Sequence, residues 1–534
     1  MREQADWIVV GGGSAGCALA ARLAERGAGS ILLLEAGGSG RHPYVLLPAA
    51  SGRAIFNRRF NWMYPVEDDA SRNGRPDQWP AGKCLGGGSA INGMMFVRGH
   101  PRDYDHWAEL GNPGWDYASV LPLFRRLEHN EAGASPERGA GGPQHVSSNR
   151  AASPLTDAWL AACEQAGIPP NPDFNGSDRE GAGPVQFSQK RGLRHSTARA
   201  YLPAGKRPTA LRVQLDSVAT QIVTEGRRAA AVRFRCRGRD RQAEARRGIV
   251  LCAGAIGTPK LLLLSGIGDP DALAQQGIPL TCALPGVGSN LQEHPGVRLS
   301  YGATRGSLGS EMGPLRSIVH AIRYLASGAG PISSGVGHAQ AFVRTRRELD
   351  APNVQIIMSP FTIDFEREVP AIHRGQTFGV AVGVMRPAAR GRVSLRSASP
   401  TAPPKIEHEL LGADEDLRQL IEGCRVAQGI VRMKAMNGLF SGLRQPGREF
   451  ESDADWEKFI RREAFPMFHP VGTCRMGNDD DAVVDHRLRL RGLAGLWIAD
   501  ASIMPTLPAA NTNATAIMIG EKAADLLTGI SGGK

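Results

Sequence analysis

The stretch FHPVGTCRMG, residues 468–477, holds one imidazole, His469, between Phe468 and Pro470, and Asn513 stands 44 residues further on. A histidine titrates near neutrality, so it can accept a proton from a hydroxyl, and a nearby amide can hold the oxygen. Close to the N-terminus, Gly11, Gly13 and Gly16 spell G-x-G-x-x-G, the spacing of a dinucleotide cradle. A base, a second polar group and a redox cofactor are together what removing a proton and a hydride from an alcohol requires. Most isolated histidines are structural turn residues. The two accompanying features single this one out.

The elements that must position these groups are legible around them. Residues 6–35 read DWIVVGGGSAGCALAARLAERGAGSILLLE. Ile8–Val10 is a buried strand, a small-residue helix follows Ser14 to about Arg26, and Ile31–Leu34 is a second strand closed by Glu35. The glycines permit a tight turn, backbone approach to a pyrophosphate and close packing of helix on strand. The helix N-terminus offers free N–H groups to phosphates. Glu35, 19 residues after Gly16, is placed to accept from a ribose and disfavours a 2′-phosphate, hence NADP. The fingerprint alone leaves NAD and FAD open. Gly86, Gly87, Gly88 and Ser89 form a run of backbone N–H groups suited to a flat ring or a diphosphate. In residues 249–268 a buried strand IVLCAGA leads to Thr258 as helix N-cap and Pro259 at the first helical position. LWIAD, 496–500, is a strand ending in Asp500, and Asn513 is expected to cap a helix over Ala514–Leu527.

With 534 residues the chain is too long for one simple core. Hydrophobic and charged contents of 42% and 22% are those of a globular enzyme. The net charge is +11, and 54 of the 63 basic residues are Arg, a bias that fits genomic base composition better than a binding code. The run RFRCRGRDRQAEARR, 233–247, alternates arginines with apolar residues as a half-buried hairpin does, and no aromatics interleave to stack on bases, so nucleic acid is not expected. Eight Cys show no metal-like spacing with His, so no metal site is expected and a reduced cytoplasmic setting fits. A fingerprint starting at residue 11 leaves no room for a leader, and no run of about 18 apolar residues spans a membrane.

GKCLGGGSAINGMMFVRGHPRDYD (82–105), GAIGTPKLLLLSGIG (254–268), VGSNLQEH (287–294) and the C-terminal segment with His469 and Asn513 resemble, in order, the signature segments of the glucose–methanol–choline (GMC) oxidoreductases. The chain is similar to the bacterial FAD-dependent alcohol and choline dehydrogenases of that family. The resemblance implies FAD, with Asn92, Gly93, Val218, Asp500 and Ala501 near it, His469 as base and Asn513 as the second active-site residue. Relatives with covalent flavin carry His one residue before the Asn92 position. Here Ile91 stands there, which implies non-covalent FAD.

The implied fold is α/β plus α+β: a discontinuous Rossmann-like FAD domain (1–148, 188–300 and 464–534) and an antiparallel-sheet substrate domain (149–187 and 301–463). The polar loop around Thr362–Arg374 is a candidate lid. Choline-type relatives often have Glu at the position of His338 and His at that of Ile357, so these two residues point to an uncharged, fairly apolar primary alcohol. Choline oxidation, an O2-using oxidase and a non-redox hydroxynitrile lyase are the alternatives. A quinone-like carrier or O2 would reoxidise the flavin. If the carrier is a membrane quinone, basic loops such as Arg53–Arg59 could contact anionic lipid at the inner face of the cytoplasmic membrane.

Overall fold

The computed structural model describes residues 3–205, 207–364 and 370–529. Two sheets organise it. The first has the strand order Leu211–Gln214, Ile31–Leu34, Glu3–Val10, Arg239–Leu251, Arg228–Cys236, Ser217–Glu225, and Leu496–Ile498 adds to Arg239–Leu251. Its first four strands and Leu496–Ile498 run parallel, in the register Val10 opposite Leu34 and Leu251. Ile8, Val9, Leu32, Leu33, Ile249 and Val250 are fully buried, as both faces of a parallel sheet are covered. The arginine-rich run forms the expected hairpin, with Val232, Phe234 and Cys236 turned inward.

The second sheet is antiparallel, in the order Phe440–Gln445, Pro295–Ala303, Thr377–Val384, Val354–Ser359, Ala339–Val343, Gly181–Pro184. Pro295–Ala303 belongs to it whole, and so does the short strand Phe465–Pro466. The two segments thus cross sheets inside stretches assigned by sequence to the cofactor half. His294 and His469 lie where the chain passes from one sheet to the other. Of the candidate lid, Ile363–Asp364 pairs with Ala371–Ile372, and residues 365–369 lie outside those described.

The helix after Leu251 begins at Gly254, five residues before Pro259, so Thr258 is not its cap. Asp500 Oδ2 caps it instead, accepting from Gly254 N at 2.9 Å and Thr258 Oγ1 at 2.6 Å. Pro259 sits inside the helix and leaves the Ala255 carbonyl without its i+4 donor. Thr473 Oγ1 donates to that carbonyl at 2.6 Å, which ties the helix to the turn carrying His469.

The first helix, Ser14–Glu25, and the last, Asn513–Thr528, lie side by side and parallel. Gly520 allows the close approach, since a Cβ there would lie 2.4 Å from the Ala15 carbonyl oxygen. Toward their C-terminal ends Glu521, with a fully buried carboxylate, accepts from Arg22 Nε (2.9 Å), Arg126 Nε (2.8 Å) and Tyr201 Oη (2.7 Å). Glu521→Gln keeps the shape and removes the charge shared by two guanidiniums. It is expected to lower the unfolding free energy by about 3 kcal/mol, read by urea denaturation.

Candidate active site

One cavity of about 1940 Å3 connects the two halves, and Ser14, Gly88, Asn92, Gly93, Ile357 and His469 are in its wall, with Asn511 and Asn513 beside them. Both helix N-termini open onto it. Gly13 and Thr512 stand at the caps and neither supplies a side-chain cap, so the first-turn N–H groups and the positive ends of two dipoles face the same space. Ser14 Oγ donates to Asn513 Oδ1 at 2.7 Å, bridging the two ends.

Asn513 is therefore not an N-cap, and it stands in the same cavity wall as His469. It is the first residue of the helix, and its amide is directed to Ser14. Asn511, two residues earlier in the approach to the helix, reaches the imidazole itself: Asn511 Nδ2 donates to His469 Nε2 at 3.1 Å. The Oδ1 of Asn511 is buried without a partner. The sequence N-T-N thus brings two asparagines to the cavity wall.

His469 Nδ1 lies 2.9 Å from His294 Nδ1, and His294 Nε2 lies 3.1 Å from the Met385 carbonyl oxygen. A carbonyl only accepts, so His294 carries its proton on Nε2 and presents a lone pair on Nδ1. His469 must then donate from Nδ1, which leaves Nε2 as the bare nitrogen facing Asn511. Burial holds His469 down to about 4 and His294 well below the usual imidazole range, so both are neutral at neutral pH. Phe468, just before the base, has φ +64°, a strained value for a bulky residue. Glu293 fixes this turn: both carboxylate oxygens accept from His469 N at 2.8 Å, and Oε1 also accepts from His294 N at 2.9 Å. Burial raises the Glu293 carboxyl well above the ordinary range. VGSNLQEH contained Glu293 and His294, yet nothing in the linear sequence placed them against a turn about 175 residues away.

The cofactor-side residues divide. Gly11, at φ +106°, could not carry a side chain, because a Cβ would lie 2.4 Å from the Cys252 carbonyl oxygen; at Gly16 it would meet the Gly11 carbonyl at 2.0 Å. Gly86 and Gly87 have φ +101° and +52°, and Gly87 lies against Gly13. At Gly13 nothing in the protein comes nearer than 3.9 Å to a Cβ, and at Gly88 nothing lies within 4 Å. These two glycines keep clear a space that protein does not fill. Glu35 is buried, with its carboxylate accepting from Gly12 N (2.9 Å) and Gly37 N (2.8 Å), and burial raises its pKa. Its main-chain oxygen accepts from Ser217 N, next to Val218. Asp500 spends its carboxylate on Gly254, Thr258 and Ser502, and burial raises it too. The Ala501 carbonyl accepts from Gly472 N. Ser89 Oγ donates to Gly86 O at 2.6 Å, shaping its own loop. Asn92 is held by buried Arg194, whose Nη1 donates to Asn92 Oδ1 at 2.8 Å and which burial lowers to about 9.

Of the two substrate-side residues, Ile357 lines the cavity, clustered with Met94, Met95 and Met467. His338 does not: it is buried behind the wall, 2.7 Å from Ser334 Oγ, and lowered to about 4 by burial. Its ring packs the second sheet to its neighbours and offers nothing to a substrate. Among the described residues no cluster of His, Cys, Asp or Glu is arranged to hold a metal ion.

The family model for GMC oxidoreductases matches residues 5–296, and its C-terminal counterpart matches residues 387–520. An uncharacterized GMC-type oxidoreductase of Mycobacterium tuberculosis is 39% identical over 99% of this chain and 100% of its own. The mitochondrial choline dehydrogenase of Homo sapiens is 38% identical over 99% and 90%. Among solved structures, pyridoxine 4-oxidase from Mesorbium loti superposes with a TM-score of 0.87 at 29% identity, covering 97% of this chain and 98% of that one. Formate oxidase superposes at 0.92 with 25% identity, covering 99% and 98%. Fold and site thus define a flavin-dependent oxidoreductase, and the chain belongs to the GMC oxidoreductase family.

Its cofactor is FAD, and the residues present fit it. Gly13 and Gly88 leave open the room a dinucleotide needs, two helix N-termini face its negative charges, and the cavity exceeds the roughly 300–1,000 Å3 of ordinary small-molecule pockets. His294→Leu removes the acceptor that fixes the His469 tautomer. It is expected to slow anaerobic flavin reduction by about 10²-fold while FAD content is retained.

Proposed function

We propose that the chain oxidises an uncharged aliphatic or aryl primary alcohol to an aldehyde as an FAD-dependent dehydrogenase, with His469 as the base. The observation that carries this is the hydrogen-bond chain in which His469 Nδ1 donates to His294 and His294 Nε2 donates to the Met385 carbonyl, which leaves His469 Nε2 unprotonated at the cavity wall. FAD, when bound, supplies the two-electron acceptor for a hydride. An alcohol oxygen set between His469 Nε2 and the Asn511 amide gives its proton to Nε2 and accepts from Nδ2. The two helix N-termini favour the negative charge that grows on that oxygen as its proton leaves. Glu293 keeps the base still by holding its backbone. Non-covalent attachment of FAD rests on Ile91, an apolar side chain that forms no bond to a flavin.

Ile357, Met467 and Phe468 give the wall beside the base an apolar character, which supports an uncharged substrate. Choline is the second reading, favoured by the likeness to choline dehydrogenases over nearly the whole chain. Anaerobic bleaching of the flavin separates the two. A medium-chain or benzylic alcohol is expected to reduce it at least about tenfold faster than choline, and the reverse order would select choline. Readmitted air reoxidises a dehydrogenase slowly and an oxidase fast, and a flavin that no alcohol reduces would abandon both readings for a lyase. His469→Ala is expected to slow reduction by about 10²–10⁴-fold; reduction at the unaltered rate would remove His469 from the mechanism.

The pH dependence follows from the lowered imidazole. A base must be unprotonated, and His469 stays so down to about 4. The acid limb of the flavin-reduction rate is therefore expected near pH 4 rather than near 6.5, in stopped-flow traces across pH 3.5–8.

A further inference from the structure

The helix Pro314–Ser327 wears its apolar side outward. Leu315, Ile318, Val319, Ile322 and Leu325 recur at helical spacing and are 81, 59, 63, 64 and 84% exposed. The side that meets the protein is the polar one: Ser317 and His320 line the cavity, and Tyr324 Oη donates to Gly192 O at 3.1 Å. A surface helix of a globular protein has the reverse arrangement. Of the nine exposed large hydrophobic side chains among the described residues, six lie between Met312 and Leu325, so this is one patch and not scatter.

Positive charge frames the patch. Arg316 and Arg323 stand exposed along one edge of the apolar stripe. Lys190 and Arg191, also exposed, belong to the hairpin whose Gly192 packs on Gly328 at the end of the helix. Arg53 and Arg58 share the cavity wall with Met312 and His320. The acid at this edge, Glu311, pairs with Arg316 at 2.5 Å and lies 3.5 Å from His320.

We propose that this helix seats the mouth of the cavity on an anionic lipid bilayer. Its 14 residues span about 21 Å, short of the roughly 30 Å of bilayer hydrocarbon, so it lies in the interface and does not cross. A second copy of the chain is a poorer occupant. A second copy would bring the same arginines against these, and two chains of +11 would repel. Anionic headgroups match the arginines, and acyl chains match the leucines. That an apolar alcohol or a lipid-soluble electron acceptor then enters from the bilayer rests on the alcohol-oxidising reading above; the docking itself does not.

The test uses the full FAD-loaded chain with vesicles of phosphatidylcholine alone and of phosphatidylcholine mixed with phosphatidylglycerol, at low and high salt. Binding is expected to the mixed vesicles, to weaken with salt, and to fall about tenfold or more in the triple variant Leu315→Gln, Ile322→Gln, Leu325→Gln. Arg316→Glu with Arg323→Glu is expected to lower it too, and Leu280→Gln, an exposed leucine elsewhere, to leave it unchanged. Retained flavin absorbance and melting temperature show that the variants fold. Equal binding by the triple variant, or no binding by the unaltered chain, overturns the proposal. So does a dimer in light scattering that the triple variant makes monomeric, which would assign the helix to a second copy. Turnover of a water-soluble alcohol is expected to be the same in all variants, so loss of docking and absence of alcohol oxidation are read independently.

Discussion

The parallel packing of the first helix on the last is the constraint around which the rest is arranged. Parallel dipoles side by side repel, so such a pair needs compensation at both ends. At the C-terminal ends it is provided by Arg22, Arg26 and Arg126 against Glu521 and Asp525. At the N-terminal ends both helices are left without side-chain caps and are joined by Ser14 and Asn513, where the diphosphate of FAD, when bound, would supply the negative charge the dipoles lack. The glycines serve this pairing: Gly520 lets the helices touch, and Gly11, Gly16 and Gly87 draw two loops against the first helix. Site and fold are thus one electrostatic arrangement.

Immediately around His469 the governing feature is burial. Burial drives Glu293, His294 and His469 each toward its uncharged form. A neutral imidazole keeps an unprotonated Nε2, which here accepts from Asn511, and its tautomer is set through His294 by the Met385 carbonyl. The positive φ at Phe468 is tolerated because Glu293 takes up the N–H that follows it. Thr473 ties the same turn to the helix interrupted by Pro259, so one ten-residue segment is fixed from two sides.

Much of this was legible in the sequence where local chemistry has one solution. The Gly11–Gly16 turn, the strand before Glu35 and the Arg233–Arg247 hairpin follow from period and glycine spacing alone. It failed where a distant group chose between local options. Pro259 reads as a first helical residue until Thr473, more than 200 residues away, takes the carbonyl that the proline releases. Asn513 reads as a cap, but the helix begins with it, and the amide that reaches His469 is that of Asn511. His338 stands just before the strand Ala339–Val343, and only the packing shows that its ring is spent on Ser334. His294 is oriented by the carbonyl of Met385, just past the strand Thr377–Val384, and periodicity carries no trace of that bond.

The contact between Ser14 and Asn513 also has a meaning in time. At a synthesis rate of roughly 5–20 residues per second, the glycine turn leaves the ribosome about half a minute to two minutes before the helix that completes its cradle. A nascent chain that has folded its first strands still lacks the second dipole, the imidazole at 469 and the amide at 511. Cofactor loading is thereby deferred to the finished chain, and a truncated product of stalled translation would circulate without a working redox centre.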